Sequence, residues 1–77
     1  MWKWTVEYKG DTITVEKKAS KGLLYINGQE VDSQKGVASV SLIGKTSSGE
    51  SVRAVVNAGL FKIYCSIYVD DVRVFKN

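Results

Sequence analysis

The chain has 77 residues, 44% of them hydrophobic and 25% charged, with a net charge of +3. This apolar content excludes intrinsic disorder, and this length predicts one small domain over residues 1–77. No run of about 18 apolar residues occurs, and residues 1–7 alternate between apolar and polar side chains instead of forming an apolar block. We therefore expect no transmembrane helix, no signal peptide and no membrane partner.

Histidine and proline are absent, and Cys65 is the only cysteine. Without histidine the chain lacks the usual general base and the commonest metal ligand. Without proline, every residue can join the hydrogen bonding of a sheet. A single cysteine cannot form an internal disulfide, which favours a reducing, cytoplasmic location. The basic side chains are densest at Lys17, Lys18 and Lys21, but the others are spread along the chain. This distribution favours an ordinary charged surface that keeps the protein soluble over a surface that binds nucleic acid.

A hairpin is predicted at the start of the chain. Residues 2–8 alternate between apolar and polar side chains, and Gly10-Asp11 supplies a two-residue turn. That turn sets Val6 opposite Val15, so that apolar side chains from both strands share one face. Residues 16–22 are polar, which predicts a strand end followed by a loop.

A second hairpin and a further strand follow. Residues 23–26 lead into Asn27-Gly28, a pair that accepts the positive φ angles of a type I′ turn. This turn sets Leu24 opposite Val31. Residues 37–44 then form a strand of small side chains suited to close packing between sheets, and residues 45–50 form the longest flexible connection.

The segment from residue 51 to residue 76 gives the strongest pattern, because three apolar-alternating runs are joined by two minimal turns. With Gly59-Leu60 as a two-residue turn, Val56 lies opposite Ile63. With Asp70-Asp71 as the second turn, Ile67 lies opposite Val74. These pairs fall on one face, which predicts a three-stranded antiparallel meander.

The runs make about eight short strands, and no segment shows the period of a helix. We therefore predict an all-β fold, a single-domain antiparallel β-sandwich with hairpin and meander connections. The side chains expected in its core are Trp4, Val6, Tyr8, Ile13, Val15, Leu24, Ile26, Val40, Leu42, Val52, Val56, Phe61, Ile63, Ile67 and Val74.

Five stretches occur in a recognisable order: Trp4-Thr5-Val6 with Ile13-Thr14-Val15, residues 24–31, Leu42-Ile43-Gly44-Lys45, residues 59–64, and residues 68–71. This order resembles a single domain of the Fas apoptotic inhibitory molecule family, and the chain is also similar to small uncharacterised bacterial proteins of the same layout. The resemblance implies an antiparallel β-sandwich and a non-enzymatic role through protein contacts. The chain departs from the family's pattern at Ala38-Ser39-Val40, where family members tend to carry an aromatic residue.

No residue pattern indicates catalysis. A Ser/His/Asp arrangement lacks its histidine, and Cys65, expected to face inward opposite Ala54, has no histidine to activate it. Asp70-Asp71 is expected to tolerate the left-handed backbone of a tight turn, not to bind a cation. Residues 44–49 have the composition of a phosphate loop, but the residues are in the wrong order and no helix is predicted to follow them. We therefore expect no enzyme activity, no catalytic residue, no metal site and no cofactor.

One surface supports a functional hypothesis. In the predicted register, the outward face of residues 51–76 carries aromatic and basic side chains, which concentrate at the centres of protein interfaces. The same side chains could instead be stabilising cross-strand pairs on a solvated face, or could stack the bases of a single nucleic-acid strand. The RNP1 signature of RNA-binding sheets is absent. The residues predicted to bind are Arg53, Val55, Lys62, Tyr64, Tyr68, Arg73 and Phe75.

The sequence therefore predicts a small binding or regulatory module that acts through protein–protein contacts. Another protein is the expected partner. A single-stranded nucleic-acid-binding β domain is the less favoured alternative.

Overall fold

The computed structural model describes residues 1–77 and contains eight strands and no helix. The structure therefore has no helix that is long and apolar enough to cross a membrane. The strands are β1 (Trp2–Tyr8), β2 (Asp11–Lys17), β3 (Lys21–Ile26), β4 (Gln29–Lys35), β5 (Ser39–Lys45), β6 (Ser51–Ala58), β7 (Ile63–Val69) and β8 (Val72–Lys76).

The strands form two antiparallel sheets, each with its strands in chain order. The first sheet has the order β1-β2-β3-β4 and the second has the order β5-β6-β7-β8. Every connection within a sheet is therefore a hairpin, and one crossing between β4 and β5 joins the sheets. The predicted all-β antiparallel fold is confirmed.

The two ends of the sandwich carry different connections. One end, which we call the turn pole, holds residues 9–10, 27–28, 46–50 and 70–71. The other end, which we call the loop pole, holds residues 18–20, 36–38 and 59–62. Trp2 and Asn77 also lie at the loop pole, where they line one groove with residues 58–63.

One hydrophobic cluster lies between the two sheets and draws side chains from both. Nine predicted core residues are buried there: Ile13, Val15, Leu24, Ile26, Val40, Leu42, Val52, Val56 and Ile67. Five more are half-buried and pack against the cluster: Trp4, Val6, Tyr8, Ile63 and Val74. The remaining prediction is wrong, because the side chain of Phe61 is 98% exposed.

The first hairpin turns one residue earlier than predicted. Lys9 and Gly10 form the turn with φ angles of 48° and 87°, so Val6 lies opposite Ile13 and not Val15. A type I′ turn needs positive φ at both positions, and glycine supplies it at the second without steric cost. The register moves by two residues, so every side chain keeps its predicted face.

The turn between β6 and β7 is longer than predicted. Residues 59–62 form a four-residue loop that the N–H of Gly59 closes by donating to the carbonyl of Lys62 at 2.7 Å. As a result Val56 lies opposite Cys65 and not Ile63. A two-residue type II′ turn at Gly59-Leu60 would need positive φ at Gly59, and no residue of this loop has a positive φ. Phe61 therefore falls in the loop and not in the strand.

Two β-bulges change the pairing further. In the second sheet Tyr68 lies opposite Arg73 and Ile67 lies opposite Phe75, so Val74 is an extra residue and not the predicted partner of Ile67. A bulge of this kind reverses the alternation beyond it. The other bulge sets Leu24 opposite Asp32 in place of the predicted Val31.

Asp32, next to the bulged residue Val31, ties the two sheets together along one edge. Asp32 Oδ2 accepts a hydrogen bond from the main-chain N–H of Ile43 in β5 at 2.8 Å. Its Oδ1 accepts one from the N–H of Ser33 at 2.8 Å. The carboxylate thus satisfies an N–H on the edge of β5, which would otherwise be open to pairing with another strand.

Candidate functional site

The outer face of the second sheet follows from the alternation of β6. Every second residue from 52 to 56 is buried in the core, so Arg53 and Val55 point outward. Arg53 lies opposite Tyr68 of β7, and Tyr68 lies opposite Arg73 of β8. The pairing thus builds a row of two arginines with a tyrosine between them.

The guanidinium of Arg53 is held over an aromatic ring. Its Cζ lies 4.5 Å from the ring centroid of Tyr68, within the distance at which a cation is attracted to the face of a ring. The Nη2 of Arg53 also lies 4.0 Å from Oδ1 of Asp71, whose side chain is 94% exposed. An ion pair this exposed contributes little to stability. Stacking orders the guanidinium and leaves its N–H groups able to bind a carboxylate or a phosphate.

A second cation–aromatic contact lies nearer the loop pole. The Nζ of Lys62 is 5.3 Å from the ring centroid of Tyr64, and Tyr64 is 48% exposed. Tyr64 lies opposite Asn57, whereas the sequence predicted Val55 as its neighbour. The two-residue change in register moved Val55 opposite Ser66, on the same outer face.

The bulge in β8 changes which side chains belong to this surface. Phe75, predicted to point outward, lies opposite Ile67 and packs against the hydrophobic core. That prediction is wrong because the extra residue Val74 reverses the alternation. Lys76 takes the outward position opposite Ser66. We define the outer patch as Arg53, Val55, Lys62, Tyr64, Tyr68, Arg73 and Lys76.

Apart from Lys62, which lies in the loop between β6 and β7, the outer patch lies on strands that contain no carboxylate side chain. Aspartate and glutamate are absent from β5, β6, β7 and β8. The three acidic side chains of this half of the chain, Glu50, Asp70 and Asp71, all lie at the turn pole. The face therefore presents positive charge together with tyrosine rings, which favours a partner that carries negative charge.

Cys65 and Asp70 do not belong to this surface, and Asp71 touches it only through its exposed side chain beside Arg53. Cys65 is 1% exposed, and burial raises the pKa of its thiol to about 12. Asp70 and Asp71 have φ angles of 48° and 66°, and Asp70 Oδ1 accepts a hydrogen bond from the N–H of Ser51 at 3.0 Å. They form the predicted tight turn. No three side chains of the metal-binding types converge.

A polar cluster at the turn pole went unpredicted. Asp11 is 4% exposed and accepts hydrogen bonds from the side-chain amide of Asn27 and the N–H of Ser47, both at 2.9 Å. Close by, Glu50 accepts a hydrogen bond from the hydroxyl of Tyr8 at 3.1 Å. The only feature of the sequence that indicated its burial was the alternation of side chains along β2, because Asp11 continues the inward-facing series of Ile13 and Val15.

The same alternation along β2 places a lysine inside the sandwich. Lys17 is 2% exposed, and its Nζ donates to the main-chain oxygens of Lys18 at 2.5 Å and Ala19 at 3.5 Å. The ammonium therefore holds the connection at residues 18–20 against the end of β2. The sequence predicted this stretch only as a polar strand end.

Comparison of the chain with protein-family models, with curated proteins and with solved structures found no match. The resemblance to the Fas apoptotic inhibitory molecule family therefore stays a prediction.

Proposed function

We propose that this protein is a non-enzymatic binding module that contacts a protein partner through the outer patch. The observation that carries the proposal is the guanidinium of Arg53 stacked on Tyr68, 4.5 Å from its ring centroid, on strands that contain no carboxylate. Such a cation, already ordered before binding, loses little conformational entropy when a partner arrives.

The chemistry of the outer patch defines the partner we expect. Tyrosine and arginine dominate the energetic centres of protein interfaces. The charges of Arg53, Arg73 and Lys76 would pair with glutamate or aspartate side chains, and the rings of Tyr64 and Tyr68 would cover apolar area beside them. We therefore propose an acidic surface or segment of another protein as the partner. The lack of any disulfide, with Cys65 buried as a thiol, supports a cytoplasmic location.

Single-stranded nucleic acid is the second candidate, and one observation favours it. Lys76 replaces the expected Phe75 on the outer face, which adds a cation and removes an aromatic ring. More cations strengthen contacts to phosphates, whereas fewer rings weaken base stacking. Nucleic-acid affinity would fall steeply as salt is raised, because it depends on the release of counterions.

A matched pair of tyrosine variants tests the proposal. Tyr68 and Tyr25 are both half-buried and each is the last residue but one of its strand. Tyr25 lies on the outer face of the first sheet, opposite Thr14. Immobilised protein would be incubated with extract of the source cell, with and without nuclease treatment. We expect Tyr68→Ala and Arg53→Gln to lose the captured partner and Tyr25→Ala to retain it.

Two results would contradict the proposal. Equal capture by Tyr68→Ala and Tyr25→Ala would mean that the outer patch only stabilises its own sheet. Capture that disappears with nuclease, together with oligonucleotide binding that is strong at low salt and lost at high salt, would establish the nucleic-acid alternative. Thermal melts of each variant must remain cooperative for the comparison to count.

A further inference from the structure

The loop pole exposes large apolar side chains that the core does not use. Leu60 is 95% exposed and Phe61 is 98% exposed at the tip of the loop between β6 and β7. At the start of β1, Trp2 is 50% exposed, and Val37 in the connection between β4 and β5 is 75% exposed. Exposed apolar groups gathered at one place mark a contact surface.

Three of these side chains share one surface, and the fourth lies on a neighbouring connection. Trp2, Leu60 and Phe61 line the same shallow groove of about 490 Å³, together with Ile63. The connection that carries Val37 is joined to the end of β6 at this pole, since the N–H of Ala58 donates to the carbonyl of Ala38 at 2.6 Å.

The charges around this surface are mostly positive, with Glu16 as the acidic residue near this end of β2. The connections at residues 18–20 and 59–62 each contain one lysine, the connection at residues 36–38 is uncharged, and none of the three contains aspartate or glutamate. Lys21 and Lys35, paired at the ends of β3 and β4, lie at the same pole, as does Lys76 near the end of β8. At the turn pole, by contrast, lie Asp11, Glu50, Asp70 and Asp71. Lysines therefore outnumber carboxylates around the apolar tip, whereas carboxylates outnumber the two lysines, Lys9 and Lys45, at the turn pole.

We propose that the loop pole docks on the surface of an anionic lipid bilayer. Leu60 and Phe61 enter the boundary between headgroups and acyl chains, Trp2 lies at the headgroup level, and Lys18, Lys35 and Lys62 contact anionic headgroups. This combination of an apolar edge with flanking cations is the chemistry by which proteins lie on a membrane without crossing it.

Two observations favour a bilayer over a peptide as the occupant. The groove that Leu60 and Phe61 line is shallow and leaves these side chains 95% and 98% exposed, so it does not enclose a peptide as a binding cleft would. The uneven distribution of charge, with an excess of lysines at one end and an excess of carboxylates at the other, also gives the molecule one preferred orientation on a negative surface. The expectation of no membrane partner rested on the absence of a spanning segment, which surface docking does not need.

Sedimentation with lipid vesicles tests the docking. Wild-type protein would be mixed with phosphatidylcholine vesicles prepared with and without phosphatidylserine. We expect binding to the phosphatidylserine vesicles, with a blue shift in tryptophan emission as Trp2 leaves water. Phe61→Ser should weaken this binding by roughly tenfold or more, because a buried phenylalanine side chain is lost.

Control variants separate insertion from simple charge attraction. Val72→Ser removes an apolar side chain that is 65% exposed at the turn pole, and we expect it to bind vesicles as the wild type does. Lys62→Gln should weaken binding, whereas Lys45→Gln, on the turn-pole end of β5, should not. Phe61 is exposed, so its substitution leaves the fold intact.

The proposal would be overturned by a wild-type protein that does not sediment with phosphatidylserine vesicles. It would also be overturned by Phe61→Ser binding as tightly as Val72→Ser, since binding would then be charge attraction without insertion. Self-association that Phe61→Ser abolishes, without any vesicle binding, would assign the surface to a second copy of the chain instead.

Discussion

Asp11 and Ser47, 36 residues apart in the chain, join the two sheets at the turn pole. Asp11 Oδ2 accepts a hydrogen bond from the main-chain N–H of Ser47 at 2.9 Å and another from its hydroxyl at 3.0 Å. Its Oδ1 accepts a third from the side-chain amide of Asn27 at 2.9 Å. One carboxylate thus connects the start of β2, the turn after β3 and the connection between β5 and β6.

This arrangement predicts a pH-dependent contribution of Asp11 to stability. The hydrogen bonds from Asn27 and from Ser47 lower the pKa of Asp11 below its ordinary value of 3.8. A carboxylate whose pKa is lower in the folded state stabilises the fold above its unfolded pKa, and this contribution is lost as the pH falls towards the folded pKa. Stability should therefore decline below pH 3.8.

Asp11→Asn should lower the melting temperature at neutral pH and reduce the loss of stability on acidification. Urea unfolding at a series of pH values would measure both effects. Asp71→Asn is the control, because that side chain is 94% exposed and should change neither. Equal pH profiles for the wild type and Asp11→Asn would show that these hydrogen bonds do not hold the sheets together.

Phe61 and Ile67 should respond in opposite ways to truncation. Phe61 is 98% exposed and Ile67 is fully buried. Phe61→Ala should change the free energy of unfolding by about 0.5 kcal/mol or less, whereas Ile67→Ala should cost about 2–5 kcal/mol. Denaturant unfolding of the two variants would measure this difference. Strong destabilisation by Phe61→Ala would restore the two-residue turn that the sequence predicted.

The pattern of apolar residues predicted which face each strand buries better than it predicted strand partners. In the hairpin of β6 and β7 the register differs by two residues, yet Val56 and Cys65 still face inward because side chains alternate with a period of two. Turn length depends on which residues adopt positive φ. Alternation holds no information about that conformation, and for this reason Phe61 was assigned to the core.

Alternation could not predict two kinds of feature. These are bulges, which insert one extra residue, and contacts with a partner far away in the chain. The bulge at Val74 reversed the faces of Phe75 and Lys76, and so removed one residue from the predicted surface and added another. The contact of Arg53 with Tyr68 depended on the true register. The hydrogen bonds of Asp11 with Ser47 join segments that only the packed sheets bring together.

Cys65 should behave as a structural thiol. It is 1% exposed, and burial raises its pKa to about 12 from a model-compound value of 9.0, so the reactive thiolate is scarce in the folded state. A thiol reagent should label the native protein slowly and the unfolded protein fast. Cys65→Ala should cost about 1–2 kcal/mol through the small cavity it leaves. Labelling of the native protein at the rate of the unfolded protein would show that the second sheet opens readily.

Tyr64 and Tyr68 should contribute little to stability if they serve as binding residues. Both lie on the outer face of the second sheet, where cross-strand pairs contribute about 0.2–1 kcal/mol each. Tyr64→Ala and Tyr68→Ala should therefore each cost about 1 kcal/mol or less in denaturant unfolding. A larger loss for Tyr68→Ala would mean that the stacked Arg53 mainly stabilises the sheet, which would weaken the case for a binding surface.

The bulge in β8 predicts different effects for two adjacent residues. Phe75 packs against the core, and Lys76 is exposed on the outer face. Phe75→Ala should cost about 2–4 kcal/mol, below the range for a fully buried phenylalanine because this one is half-buried, whereas Lys76→Ala should stay within about 0.5 kcal/mol. Denaturant unfolding of both variants would measure the contrast. Regular alternation without the bulge would expose Phe75 and turn Lys76 inward, which would make Phe75→Ala the milder change. That reversed order would remove Lys76 from the outer patch and return Phe75 to it.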